Sequence, residues 1–535
     1  MVEKAAFDAI IIGAGHNGLA CAAYLASAGL SVKVFERRHV IGGAAVTEEF
    51  HPGFKNSVCS YTVSLLNPKV IRELELERHG LEIVARPYAN FLPLPDGNYL
   101  RYRNDLDEMR AAISPYSERD ADRLGDYFEV IEETADILRA LALETPPNPG
   151  GGVKDILKTL RMGRRLRKAG PRALENFAKL MTMSVGDYLD GWFESDPLKG
   201  MLGFDGIVGN LVSPYHPGSA YVLIHHAIGE INGQKGAWGH AIGGMGAISE
   251  AIARSGRAKG VEIETEAPVA ELLVEGGKTR GVKLADGREV TARITAANVN
   301  PKLLFLKLVP ADALEPEVKR RMENWRCRSG SFRMNVALGE LPDFTCLPGT
   351  NLQEHHMSGI YLCPSLGYME RAYDDAKGGD YSKEPAVDML ISSTVDASLA
   401  PEGRHVASLF CQHFHPELSD GRSWIDVKEA AVDTIIETVN RYAPNFRSSI
   451  IAVQSLSPLD LEREFGLTGG DIFHGCLDLD QIFSLRPMMG HADYRMPLKN
   501  LYLCGSGAHP GGGVTGLPGR NAAREIIKDF RRRRV

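Results

Sequence analysis

The hexapeptide Gly13-Ala14-Gly15-His16-Asn17-Gly18 directly follows the apolar run 7–12, and an acid, Glu36, stands eighteen positions beyond Gly18. Each of these residue types has a physical task in binding a dinucleotide. Gly13 permits a tight turn, Gly15 removes the side chain that would block a pyrophosphate, and Gly18 lets a helix pack closely on a strand. The N-terminus of that helix offers free N–H groups and positive potential to phosphate. Glu36 can accept both hydrogen bonds of a ribose diol, and an acid at this position disfavours a 2′-phosphate. FAD and NAD fit equally to this point. A glycine turn in an unrelated sheet is the competing reading, and the order strand, turn, helix, strand, acid argues against it. Gly42-Gly43 then brings more bare backbone toward a cofactor longer than its nucleotide half, although alone it is equally readable as an ordinary loop.

The elements that must position these groups follow from the pattern of apolar residues. Residues 7–12 read as a buried parallel strand, 19–28 as a helix closed by Gly29, and 31–35 as a second strand. A cofactor spanning the protein requires the chain to return to it, and two glycine-rich stretches do so. The first, 236–246, leads into a helix over 247–255 and strands over 261–265, 269–274, 281–285 and 289–296, with Gly276-Gly277 and Asp286-Gly287 as turns. The second, 500–521, reads as a strand ending at Gly505, a loop of nearly bare backbone, and a helix from about Gly516 with Pro518 in its first turn. If the cofactor is FAD, the N-terminus of that helix is expected beside N1 and C2=O of the flavin, where it would stabilise the charge of the reduced ring. These stretches hold much of a glycine excess: 56 of 535 residues, where average usage would give roughly 37.

The segment Glu36-Arg37-Arg38-His39-Val40-Ile41-Gly42-Gly43 resembles the extended FAD fingerprint of the amine oxidase and phytoene desaturase superfamily, which NAD sites do not call for. Along most of its length the chain resembles the phytoene desaturase-like FAD-dependent oxidoreductases. The match rests on 13–19, 237–246, Asp471-Ile472-Phe473-His474, Leu479-Asp480-Gln481, Arg486-Pro487 and 501–513. The resemblance implies an α/β fold: a Rossmann-like FAD-binding domain of the glutathione reductase/amine oxidase type with an inserted β-meander, interleaved with an α+β substrate domain. The expected boundaries are 1–85, 240–305 and 475–535 for the FAD-binding domain, and 86–239 and 306–474 for the substrate domain. FAD would be held by Gly13, Gly15, His16, Asn17, Gly18, Glu36, Arg37, Gly42, Gly43, Gly505, Gly511, Gly512, Gly513 and Val514, with the Val269 backbone at the adenine. His474, Gln481, Arg486 and His509 are the candidates to face the ring as catalytic groups, each equally readable as a core hydrogen-bonder. Gly53-Phe54-Lys55-Asn56 lacks the acid usual after the matching aromatic in carotenoid desaturases, which argues against a carotene substrate.

The rest of the chain bounds the function. A net charge of -7 argues against a general nucleic-acid binder. Eight cysteines without C-x-x-C or C-x4-C spacing suit a reducing, cytoplasmic compartment and give no dithiol chemistry. Residues 9–32 carry no Asp, Glu, Lys or Arg, yet their glycines and changing periodicity describe strand, turn and helix, not a membrane span. Glu3 and Lys4 leave no room for a basic presequence. No second G-x-G-x-x-G follows a strand, so a separate NAD(P)H domain is not expected, and electrons would pass to oxygen, a quinone or the product. Strand-like 331–338, 387–394 and 405–414, with a helix over 425–442, suit an antiparallel sheet capped by helices. Residues 153–172 form a basic amphipathic stretch, read as a peripheral contact with an anionic membrane or, preferably, as a solvated helix face over the core. Arg531 to Arg534 read as favourable charge at a helix C-terminus. Cys411, His413 and His415 would share one strand face, but no fourth ligand is evident and no metal site is expected. His225-His226 and His355-His356 are expected to point oppositely along a strand.

The leading expectation is an FAD-dependent oxidoreductase that dehydrogenates or isomerises a carbon–carbon bond of a small, largely apolar, isoprenoid- or lipid-like substrate, by hydride transfer to flavin N5. The alternatives are a flavin amine oxidase, for which the last glycine motif offers no cage tyrosine, and a flavin-holding regulator with little turnover.

Overall fold

In the computed structural model, which describes residues 5–103 and 105–532, Phe7–Ile12 is paired on both edges within a seven-stranded sheet. The expectations placed on Glu3, Lys4, Arg533 and Arg534 lie outside the described residues. The parallel part runs Glu262–Glu264, Val32–Phe35, Phe7–Ile12, Glu289–Ala297, Leu501–Leu503. A strand with neighbours on both edges and helices over its faces must be apolar almost throughout, as 7–12 is. Glu289–Ala297 also pairs antiparallel with Lys278–Leu284, which pairs with Val269–Glu275, giving a three-stranded meander. Its turns fall at Gly276-Gly277 and at Asp286-Gly287. One sheet thus draws on the start, the middle and the end of the chain.

The first helix is His16–Ser27, three residues earlier than expected, because Gly15 already serves as its N-cap. Small residues let it approach Leu517–Arg531 closely: a Cβ on Gly519 would lie 2.0 Å from the Asn17 carbonyl oxygen.

A second seven-stranded sheet runs Ile450–Leu456, Ser331–Leu338, His405–Phe414, Tyr381–Leu390, Gly359–Leu362, Asn90–Pro93, Tyr99–Tyr102. It is antiparallel except between Gly359–Leu362 and Asn90–Pro93. Helix Trp424–Asn440 covers one face, taking Val387, Met389, Leu409 and Cys411 into its core. Strand alternation sends Asp388 and Phe410 to the other face, where Phe410 packs with helices Asp196–Ile207 and Ala220–Ala227.

Some local expectations are corrected. The strand expected at 387–394 is Tyr381–Leu390, and Ser392–Thr394 is a 3-10 turn. His225 and His226 lie on helix Ala220–Ala227, and His355 and His356 in the 3-10 turn Glu354–Met357, not on strands. The run Tyr221 to Ile224 is apolar and too short for periodicity to separate helix from strand. Among the described residues no group of three or more His, Cys, Asp or Glu is arranged to hold a metal ion, and no helix is long and apolar enough to cross a membrane.

Candidate functional site

The two sheets share a cavity of about 450 Å³. On the side of the first sheet it is lined by Gly13, Gly15, Glu36, Arg37, Gly43 and Val269, and then by His16, Asn17, His474, Ser506, Gly513 and Val514. Gly13 turns the chain at φ +91°, where a Cβ would lie 3.0 Å from the Asn298 carbonyl oxygen. The Gly42 N–H donates to the Ala14 carbonyl at 2.9 Å, which brings Gly43 so near Gly15 that a Cβ on Gly43 would sit 3.2 Å from the Gly15 Cα. Two bare backbones therefore make one wall. The buried Glu36 carboxylate is aimed by backbone N–H donors, from Ala14 at 2.8 Å and from Arg38 at 3.0 Å. Arg37 donates to the Arg463 carbonyl and lines the same end.

FAD suits this wall on its own chemistry. Helix His16–Ser27 has no side-chain cap, so its first N–H groups are open to a pyrophosphate. His16 Nε2, Asn17 Oδ1 and His474 Nδ1 are buried in the cavity wall without hydrogen-bond partners, the condition a bound polar ring relieves. Burial lowers His16 and His474 to about 4 each, against the weaker pull of a backbone hydrogen bond. Both rings are therefore neutral at pH 7.

Gly18, Gly42, Gly505, Gly511 and Gly512 are set behind the wall, and all but Gly511 shape it by close packing. A Cβ would fall 2.3 Å from the Gly13 oxygen at Gly18, 2.8 Å from Asn298 Oδ1 at Gly505, and 2.2 Å from Phe473 Cδ1 at Gly512. Three of the four candidate catalytic side chains lie outside the cavity lining and hydrogen-bond to backbone groups. Gln481 uses both carboxamide atoms on the backbone of Arg326, at 2.9 and 3.0 Å. Arg486 is fully buried and donates to the carbonyls of Phe473, Gly475, Cys476, Gln481 and Ser506, binding the 473–481 segment to the last glycine loop. His509 Nε2 meets the Leu141 carbonyl at 3.1 Å, and its ring packs edge-on against Phe483. Only His474 faces the cavity.

Sequence reasoning missed the polar groups on the side of the second sheet. Arg333, Phe410, Asp388 and Tyr361 are lateral neighbours across four strands, one row on one face. Tyr61 reaches this row from the first sheet's side: its hydroxyl donates to Asp388 Oδ2 at 2.6 Å, its ring stacks on Phe410, and the Arg333 guanidinium lies 4.5 Å from its centroid. Asp205 lines the same space. Burial raises Asp205 to about 7, opposed by Arg86, and raises Asp388 to about 6, opposed by Arg86 and the Tyr61 hydrogen bond. A signal was present in the sequence: Arg333 and Asp388 each stand between apolar residues in a strand, marking a second face that is neither core nor solvent.

The flavin containing amine oxidoreductase family model matches residues 18–326. A pyridine nucleotide-disulfide oxidoreductase domain-containing protein 2 from Rattus norvegicus is 42% identical, covering 99% of this chain and 94% of its own. A limonene dehydrogenase subunit of Castellaniella defragrans is 24% identical over 99% of this chain and 96% of its own. Among solved structures, a putrescine oxidase variant superposes with a TM-score of 0.60 at 16% identity, covering 98% and 99% of the two chains, which bears on the fold alone. Glycine cradle, ribose acid, meander and whole-length similarity agree: the chain belongs to the flavin containing amine oxidoreductase family and is an FAD-dependent oxidoreductase.

Proposed function

We propose that this enzyme dehydrogenates a carbon–carbon bond in a substrate with a largely apolar body. The observation that carries this reading is the cavity wall beyond the glycine cradle, built from Val63, Leu65, Phe204, Val208, Phe410 and Phe473. Such walls desolvate an apolar body and fix its orientation. When bound, FAD supplies the two-electron oxidation. His16 and His474, neutral at pH 7, offer hydrogen bonds in this wall without adding charge. The relative named for limonene dehydrogenase supports an apolar substrate. Amine oxidation is the competing reading, and Asp205 and Asp388 are the groups that favour it. Arg86 acts as a nearby cation on both carboxyls and Arg333 on Asp388, which weakens their pull on an ammonium ion. The test is anaerobic titration of the reconstituted holoenzyme with isoprenoids, lipids and amines, read as flavin bleaching. Bleaching by an isoprenoid or lipid is expected. Bleaching by amines alone, with peroxide on readmitting air, would overturn the proposal.

A further inference from the structure

Asp388 is only 4% exposed, and its Oδ1 has no hydrogen-bond partner although it lines the cavity. A buried carboxylate oxygen is rarely left so, because its lost hydration is not recovered elsewhere. Its other oxygen is held by Tyr61, and the strand pairing to Phe410 and Tyr361 fixes the backbone beneath it, so the free oxygen is pre-aimed. Asp205 adds a second carboxyl to the same space from helix Asp196–Ile207, a different element. Around them the wall is aromatic: Phe204, Tyr361 and Phe410. An apolar chamber with acceptor groups at one place recognises a molecule that is apolar along its body and carries a donor at one end. Arg86 acts as a nearby cation on both carboxyls and Arg333 on Asp388, so an uncharged donor suits this place better than an ammonium ion.

We propose that Asp388, Asp205 and Tyr61 form a subsite for a terminal hydroxyl group, so that the substrate is an apolar alcohol and not a plain hydrocarbon. This rests on reading the cavity as the substrate chamber. The hydroxyl donates to Asp388 Oδ1, and Tyr61 keeps that carboxylate from turning away.

The test is calorimetric binding to the flavin-loaded enzyme of three ligands of equal chain length, ending in methyl, hydroxyl and amino groups. The alcohol is expected to bind at least tenfold tighter than the hydrocarbon, as for a hydrogen bond to a charged group. In Asp388→Leu that preference should fall to less than threefold, and in Tyr61→Phe it should fall by a smaller factor. Flavin content measured on each variant confirms a folded protein, and the parent enzyme's own ligand ranking tests the proposal should a variant fail to fold. Equal binding of alcohol and hydrocarbon by the parent enzyme overturns the subsite, as does amine binding tenfold tighter than alcohol. Because the readout is binding, it is separate from failure of the dehydrogenation reading, which would appear as absence of bleaching by a tightly bound ligand.

Helix Val153–Lys168 carries an independent inference. It buries no residue, and Val153, Ile156, Leu157 and Leu160 are 72%, 57%, 57% and 56% exposed. Their spacing places them on one face, and that face looks away from the core. Lys154, Arg161, Arg164, Arg167 and Lys168 are also exposed. A solvated helix lying over a core would turn its leucines the other way. The geometry points to an anionic lipid bilayer as the partner of this face, the apolar stripe entering the acyl boundary and the cations meeting headgroups. The full-length holoenzyme should co-sediment at low salt with phosphatidylcholine vesicles containing phosphatidylglycerol, and at least tenfold less with phosphatidylcholine alone. Replacing Ile156, Leu157 and Leu160 together by Ser should reduce the anionic binding by at least tenfold at unchanged flavin content. A parent protein that stays in the supernatant, or a triple variant that sediments like the parent, overturns it.

Discussion

Replacing Asp205 by Asn removes a carboxyl that burial raises to about 7, with only Arg86 opposing. A raised carboxyl pKa means that the folded protein holds a proton which the unfolded chain has released. The group's contribution is therefore most favourable below its unfolded value of 3.8, and is lost as pH rises through about 7. At ~1.36 kcal/mol per pKa unit, the raised pKa of Asp205 lowers stability by up to roughly 4 kcal/mol at pH 8 and by roughly 2 kcal/mol at pH 5, relative to acid pH. Asparagine carries no such cost, so the variant's advantage should grow by roughly 2–3 kcal/mol between these pH values. Unfolding entropy of ~2.1 cal/mol/K per residue gives roughly 1.1 kcal/mol/K for the chain, so the gap in Tm should widen by about 2 °C. The assay is parallel thermal unfolding of parent and variant at pH 5 and pH 8; groups common to both cancel in the difference. A gap that does not change with pH, or a variant that melts below the parent at pH 8, would refute the argument that burial outweighs the pull of Arg86 on Asp205.

Glu36→Ala removes the acceptor for the Ala14 and Arg38 N–H groups as well as for a ribose diol, and flavin content by absorbance should fall at least tenfold. Gly15→Asp should do the same, since even a Cβ there would lie 2.8 Å from Asn298 Nδ2; full flavin retention in both would sink the site assignment. Arg486→Met leaves five buried carbonyls without their donor, and should lower Tm by about 3–5 °C for a loss of roughly 3–5 kcal/mol. Loss of turnover at unchanged Tm would restore it as a catalytic candidate. His16 and His474 have folded pKa values of about 4, below their ordinary 6.5, so the stability they contribute is complete above pH 6.5 and drains away toward pH 4. His474→Gln should flatten that acid slope in a melting series, and an unchanged slope would count against a neutral buried ring.

Much of the first sheet was legible because its signals are local. A strand that stops at Gly13, a helix that follows at once and an acid at the end of the next strand are read within one short segment, and Asp286-Gly287 announces its own hairpin. The returns at 236–246 and 500–521 were legible only as bare backbone. Their neighbours were not, since nothing near Leu501–Leu503 says that it pairs with Glu289–Ala297. The helix holding His225 and His226 shows the limit from the other side: its core-facing run is apolar all round, and burial on every side erases the periodicity that would identify it.

Three of the candidate catalytic groups lie away from the cavity for a different reason. Gln481, Arg486 and His509 sit in the segments that most resemble relatives, and a polar residue can be placed there by an obligation to the backbone as readily as by chemistry. Gln481 answers Arg326, far away in sequence, and Arg486 gathers carbonyls from two loops that have no regular structure to satisfy them. Loops drawn tightly around a cofactor carry more unpaired carbonyls than a helix or sheet does, so they need such a donor whatever reaction the enzyme performs. Asp388 and Arg333 belong to strands in which no motif could be recognised, and their meaning depends on register across four strands and on Tyr61 arriving from elsewhere. On the proposed reading of the cavity, substrate recognition lies in the part with the fewest signatures, and the row Arg333, Phe410, Asp388, Tyr361 is where changes of specificity should be sought.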